Sequence, residues 1–157
     1  MTNSFKNLKY DWNNIEFWKL TAAKEFFKAN DNKNKRILLV DDEQDVTYTI
    51  KIVLENNGFL VDSYNDPTLA LSNFKLGFYD LLLLDIRMPK INGFDFYQKI
   101  REIDSDVKIC FLTASEWFYE EFRRLDMRPT VDKEHFIQKP FRSEELIRQL
   151  NEVLRSH

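Results

Sequence analysis

The stretch Asp80-Leu81-Leu82-Leu83-Leu84-Asp85-Ile86-Arg87-Met88-Pro89 decides how the rest of the chain is read. Four consecutive leucines, between a Gly-Phe-Tyr approach and a Met-Pro exit, are too short for a helix of their own. An unbroken apolar run of this length fits a central parallel strand, covered on both faces and therefore without alternation. Asp85 stands where the run ends. In an open α/β sheet, chemistry gathers just beyond the carboxyl ends of the strands. The question is then whether other strands deliver polar groups to the same edge.

Outward from the leucine run, the chain alternates strand and helix five times. Residues 37–40 and 59–64 predict the first two strands, 107–112 the fourth and 135–138 a short fifth. Val46, Ile50, Val53 and Leu54 form one face of a first helix, which Gly58 can end in a left-handed conformation. Asp66-Pro67 predicts an N-cap and first helical position, with Leu69 to Leu76 following before Gly77. A third helix begins at Gly93. Phe118, Phe122 and Leu125 mark a fourth, and a long connection runs over 126–134. Ser143, with Glu144 and Glu145 in the first turn, is the expected cap of a last helix that carries Leu146, Leu150, Val153 and Leu154 inward. Alternating βα units imply an α/β fold, a doubly wound parallel sheet with helices on both faces.

Composition agrees with a globular domain. Of 157 residues, 43% are hydrophobic and 31% charged, which excludes a disordered chain. No apolar run approaches membrane-spanning length and the N-terminus lacks a signal-peptide core, so a cytoplasmic location is expected. The single cysteine, Cys110, lies in an apolar run and reads as a small core residue rather than a nucleophile. Charge is unevenly shared. Residues 1–36 hold eight Lys/Arg against four Asp/Glu, a net of +4; the rest holds fifteen against twenty-two, a net of −7, together the −3 of the chain. Two parts are expected: residues 1–34, a helical extension with a polar linker, and residues 35–157, the α/β domain.

Four strands end in a polar signature: Asp41-Asp42, Asp85, Thr113 and Lys139-Pro140. Each has a plain explanation alone. Asp42 could cap the next helix, Thr113 the fourth, and Lys139 could be a surface lysine. Together they bring carboxylates, a hydroxyl and an ammonium to one edge of one sheet, and the joint accident is improbable. Three close carboxylates repel one another and call for a cation. Hard oxygen ligands with spare water positions suit Mg2+. Such a site fits phosphoryl transfer to Asp85 as nucleophile, with Lys139 and Thr113 holding the transferred group.

The segments Leu39-Val40-Asp41-Asp42-Glu43, Leu84-Asp85-Ile86-Arg87-Met88-Pro89 with Gly93, Leu112-Thr113-Ala114 and Gln138-Lys139-Pro140-Phe141 resemble the receiver domain of two-component response regulators. The resemblance runs from about Lys35 to the C-terminus. It implies a flavodoxin-like (βα)5 fold with strand order 2-1-3-4-5 and Asp85 as phosphoacceptor. It further implies Mg2+ held directly by Asp42, Asp85 and the backbone carbonyl of Arg87, with Asp41 acting through water. Thr113 and Phe136 fall at the family's switch hydroxyl and switch aromatic, and Lys139-Pro140 where a cis peptide is usual. The implied partners are a histidine kinase or histidine phosphotransfer protein upstream and an unknown protein downstream. The chain would be no enzyme in the usual sense, catalysing its own phosphorylation and slow autodephosphorylation. No output domain follows His157 in this sequence, so signalling by protein contact is expected.

Other readings compete. A degenerate receiver would serve only as a constitutive interaction module, but all four signature positions are occupied. A haloacid-dehalogenase-like hydrolase would want an Asp-x-Asp pair, and Arg87 stands two positions after Asp85. Nucleic-acid binding by the basic N-terminus is disfavoured because its aromatics sit at core spacing. Trp12, Ile15, Phe17, Trp18, Leu20, Phe26 and Phe27 give the segment 11–29, with Asp11 as its N-cap, a wide apolar stripe. A homodimer through 11–29 is the expectation, with docking on the chain's own receiver as the alternative; membrane binding is disfavoured by sparse lysines and by Glu16 and Glu25.

Overall fold

A computed structural model describes residues 19–23, 32–114 and 131–156. The expected fourth helix with Phe118, Phe122 and Leu125, the segment 126–130, and all of 11–29 except 19–23 lie outside the described residues. The chain divides into two compact units, Met1–Asp31 and Asn32–His157. In the first, residues 19–23 are helical and Leu20 is exposed. The second begins three residues before the boundary expected at 34/35. Asn32 is buried there and its carbonyl accepts from the Lys35 N–H at 3.0 Å, so the end of the predicted linker is a turn of the second unit.

That unit contains strands β1 (Arg36–Val40), β2 (Leu60–Tyr64), β3 (Leu81–Asp85), β4 (Lys108–Thr113) and β5 (Phe136–Gln138). All pairings are parallel, in the order β2-β1-β3-β4-β5. The described helices are α1 (Gln44–Asn56), α2 (Pro67–Ser72), α3 (Gly93–Ile103) and α4 (Ser143–Arg155). The expected order and fold class are both present.

The leucine run shows why this sheet must be covered twice. Leu82 and Leu84 pack with Leu38, Val40 and Phe111 against Ala70 of α2 and Phe96, Tyr97 and Ile100 of α3. Leu81 and Leu83 pack with Ile37, Leu39 and Cys110 against Ile50 and Leu54 of α1 and Leu146, Leu150 and Val153 of α4. Successive side chains point to opposite faces, so a strand with both faces buried must be apolar at every position. All four leucines are fully buried, which contributes on the order of 1.5–3 kcal/mol each.

Several boundaries differ from the sequence reading. The second strand begins at Leu60; Phe59 is buried just before it. α2 stops at Ser72 instead of running to Leu76, because the Asn73 side chain donates back to the Leu69 carbonyl at 2.8 Å and closes the last turn. Leu76 is consequently exposed. His135 belongs to a 3-10 turn, Lys133–His135, and not to β5, because its ring and Asp132 close a reciprocal cap on that turn. Ser143 is the first helical residue of α4 and not its cap; the extended Arg142 takes the N-cap place, with its carbonyl accepting from the Leu146 N–H at 3.0 Å. Gly58 ends α1 with φ 90°, and Asp66 caps α2 ahead of Pro67, both as expected.

Candidate functional site

Parallel register sets the site. Val40 pairs with Leu84 and Asp85 with Leu112, so Asp41 leaves β1 level with the end of β3. Thr113 pairs with Gln138 and brings Lys139 to the same edge. The strand order reverses direction between β1 and β3, the topological switch point where open α/β sheets form their crevice.

Asp41, Asp42 and Asp85 each offer a carboxylate oxygen, and the three lie within 4.8 Å of one another. Asp41 is fully buried, while Asp42 is exposed. The Asp85 side chain is 11% exposed. Lys139 Nζ donates to Asp41 Oδ2 at 2.7 Å and to Asp85 Oδ1 at 3.2 Å, with Glu43 Oε1 at 3.9 Å. Burial pushes the Asp85 carboxyl up, the neighbouring Asp41 charge adds to this, and Lys139 opposes it; the result is a pKa of about 6. Burial disfavours the Lys139 charge, but Asp41 and Asp85 outweigh it and hold the ammonium above its ordinary range.

The donor set fits a hard divalent cation. Three carboxylates against one ammonium leave an excess of negative charge at close range, and two of the three acids are shielded from water. Asp42 is no helix cap, since α1 starts at Gln44 with Glu43 at the N-cap. Beside it opens a pocket lined by Asp42, Ile86, Arg87, Met88, Pro89, Asn92 and Phe94. Arg87 therefore borders the acid cluster.

Local structure explains how the β3–α3 loop reaches this place. A Cβ on Gly93 would stand 2.4 Å from the Asp85 carbonyl oxygen, so any side chain there would push the end of β3. The Gly93 N–H donates to the Ile86 carbonyl at 2.9 Å, and the Ile86 N–H to Leu112 at 3.1 Å. Thr113 is buried, and its carbonyl accepts from the Lys139 N–H at 2.7 Å. Lys139-Pro140 is cis. Phe136 is half-buried on β5, 5.3 Å from the Phe111 ring and 6.5 Å from Phe94.

Two contributors escape the sequence reading. Asn65, after β2, donates to the Asp41 carbonyl at 2.8 Å and to Thr47 Oγ1 at 2.8 Å; Thr47 in turn donates to the Asp41 carbonyl at 3.0 Å. This latch holds the β1 end from two sides. A polar residue before Asp66-Pro67 was its only signal, and that reads equally well as a turn. Glu43 was quoted within a motif, but its approach to Lys139 could not be read from spacing.

A family model described as "Response regulator receiver domain" matches residues 37–151. The chain is 34% identical over 115 residues to the transcriptional regulatory protein DltR of Streptococcus agalactiae, covering 73% of this chain and 50% of that protein. It is 32% identical over 120 residues to the response regulator ArlR of Staphylococcus aureus, covering 76% and 52%. The chain thus spans about half the length of the curated relatives it matches. Among solved structures it resembles the non-phosphorylated HemR receiver domain from Leptospira biflexa, with a TM-score of 0.68 and 31% identity over 79% of this chain and 97% of that one. Among the described residues no helix is long and apolar enough to cross a membrane. The sheet order, the acid cluster at its switch point and the extent of these matches place the chain in one family: it belongs to the response regulator receiver domains.

Proposed function

We propose that this chain is the phosphoacceptor of a two-component phosphorelay and takes a phosphoryl group on Asp85 from a histidine kinase or histidine phosphotransfer protein. The observation that carries the reading is the place of Asp85: at the end of the central strand, close to two further carboxylates and 3.2 Å from the Lys139 ammonium. With a pKa of about 6 it is mostly ionised at neutral pH, as a nucleophile must be. A carboxylate oxygen attacks phosphorus and the P–N bond to the donor imidazole breaks. The bonding pair stays on the imidazole nitrogen, which takes up a proton. Water later cleaves the aspartyl phosphate, so the chain acts on itself and turns over no separate substrate.

Asp41, Asp42, Asp85 and the Arg87 carbonyl are the groups that would hold Mg2+. When bound, the ion neutralises charge on the phosphoryl oxygens and lowers the repulsion among the acids. Lys139 moves from the carboxylates to the transferred group as charge spreads over its oxygens. The Thr113 hydroxyl turns toward the phosphoryl group and Phe136 follows. Phosphorylation thereby shifts the ratio of two conformers that already coexist. We infer that the signal leaves through contact with a downstream protein in the cytoplasm, without direct contact to nucleic acid or membrane. Residues 35–157 are then the signalling domain and residues 1–34 an extension, of which 11–29 would join two copies.

Intact mass after incubation with acetyl phosphate and Mg2+ tests the site. The wild type should gain one phosphoryl group, lose most of that gain when the divalent ion is chelated, and lose all of it in Asp85→Asn. Full labelling of Asp85→Asn would sink the assignment.

A further inference from the structure

The β3–α3 loop carries Arg87 and walls the pocket beside Asp42, yet at its middle it takes an unfavourable shape. Lys90 has φ 71°, and around it the Ile91 N–H donates to the Pro89 carbonyl at 2.9 Å. A bond from residue i+2 back to i, across a residue of positive φ, is the rare and strained hand of the γ-turn. A lysine has no local reason to adopt it, unlike glycine or asparagine. Such conformations persist where the surroundings over-determine them.

A tether for that turn lies across the molecule. Lys90 Nζ donates to Asp66 Oδ2 at 2.6 Å, joining the β3–α3 loop to the start of α2, 24 residues away in sequence. Asp66 is already fixed. Its Oδ1 accepts from the Thr68 N–H at 2.8 Å and the Thr68 hydroxyl at 2.5 Å, capping α2. One oxygen thus anchors to the helix and the other is aimed at the lysine. Side-chain exposures of 60% and 40% mean that the pair adds little to global stability. Its effect is instead on where the loop sits.

We propose that Lys90 is a positioning residue: through Asp66 it holds the β3–α3 loop, and with it the Arg87 carbonyl, in the arrangement that binds the divalent cation. This rests on the reading of the acid cluster given above. Because the pair faces water, the tether is screened and weakens as salt rises.

Four forms of the full chain test it: wild type, Lys90→Met, Asp66→Asn and the double variant, with Lys90→Arg as rescue. Asp66→Asn keeps an oxygen for the α2 cap and replaces the oxygen that accepts from Lys90 with an amide NH2, removing both the charge and the acceptor. At low ionic strength each single variant should bind Mg2+ about three- to fivefold more weakly, the upper range for an exposed pair. The double should be no weaker than the singles, Lys90→Arg should restore binding, and 1 M salt should erase the differences. Hydrogen exchange of the Ile91 and Gly93 amides, in metal-free protein, should speed up by a similar factor. Unchanged exchange in the single variants, or losses of affinity that add in the double, would overturn the proposal. If wild type binds no Mg2+, the reading of the acid cluster fails, and the exchange rates still decide whether the tether holds the loop.

Discussion

At the amino-terminal edge of the sheet, acids are matched by donors. Asp80 accepts from Lys35 Nζ at 2.9 Å and from the Arg36 N–H at 2.8 Å. Asp104, buried between α3 and β4, accepts from the N–H groups of Gly77, Asp106 and Val107 at 2.9, 3.0 and 3.2 Å. At the carboxyl-terminal edge three acids cluster, and the Lys139 ammonium bonds two of them, Asp41 and Asp85. Asp104 and Asp85, one at each end, are therefore shifted in opposite directions. Burial raises the Asp104 carboxyl, but its backbone donors outweigh burial and hold it below the ordinary carboxylate range. Asp85 is pushed up to about 6 by burial and by Asp41. One end fastens the sheet; the other holds carboxylates whose repulsion a cation can relieve.

The largest effect should come from breaking the fastened end. Asp104→Ala orphans three N–H donors at once and should cost roughly 2–4 kcal/mol in equilibrium unfolding at pH 7. Asp104→Asn keeps one acceptor and should cost less. The pH dependence has a definite sign. A carboxyl whose folded pKa lies below its unfolded value stabilises the fold above the unfolded pKa. That contribution is lost as pH falls through the folded value. The penalty of Asp104→Ala should therefore persist at pH 5 and shrink only below about pH 4, near the unfolded Asp pKa. A penalty already gone at pH 5 would mean that Asp104 is not held as a carboxylate.

Gly93→Ala strikes the other end through the backbone. With a Cβ 2.4 Å from the Asp85 carbonyl, the loop or the end of β3 must move. Overpacking of this kind costs about 1–3 kcal/mol. Labelling by acetyl phosphate should fall with it, because Asp85 and Arg87 sit on the displaced segment. Wild-type labelling in a destabilised Gly93→Ala would mean that the loop's position does not matter to the chemistry. Smallest is Lys35→Met, which removes a half-exposed pair with Asp80 and should change stability by no more than about 1 kcal/mol, leaving phosphorylation untouched.

The contrast between the two edges also marks what could be read in the sequence. Periodicity and turn residues were enough for five strands and a parallel sheet covered on both faces, because an unbroken leucine run fits only a strand buried on both sides; the order 2-1-3-4-5 was legible only through the family resemblance. The acids at the strand ends were visible because each closes an apolar run. Asn65, the Lys90–Asp66 pair and the Gly77 donor on Asp104 were not. Each exists only where two distant loops meet, and no spacing within either loop encodes it. The overlong α2 has a similar origin. Leu76 prolonged the apolar pattern, while the stop came from the Asn73 side chain turning back on Leu69.

The central claim is that the carboxyl edge trades stability for a cation-binding, phosphate-accepting site. Equilibrium unfolding of wild type and Asp85→Asn, with and without Mg2+, tests it most directly. A carboxyl whose folded pKa is raised lowers stability as pH climbs from its unfolded value through the folded one. A shift from 3.8 to about 6 makes Asp85 a burden at pH 7 and none below pH 4. Without metal, Asp85→Asn should be more stable than wild type by roughly 1–3 kcal/mol at pH 7, an advantage that fades by pH 4. Saturating Mg2+ should stabilise the wild type more than the variant and so reduce or reverse the gap. A variant less stable than wild type at pH 7 without metal, or a gap that Mg2+ leaves unchanged, would contradict the account.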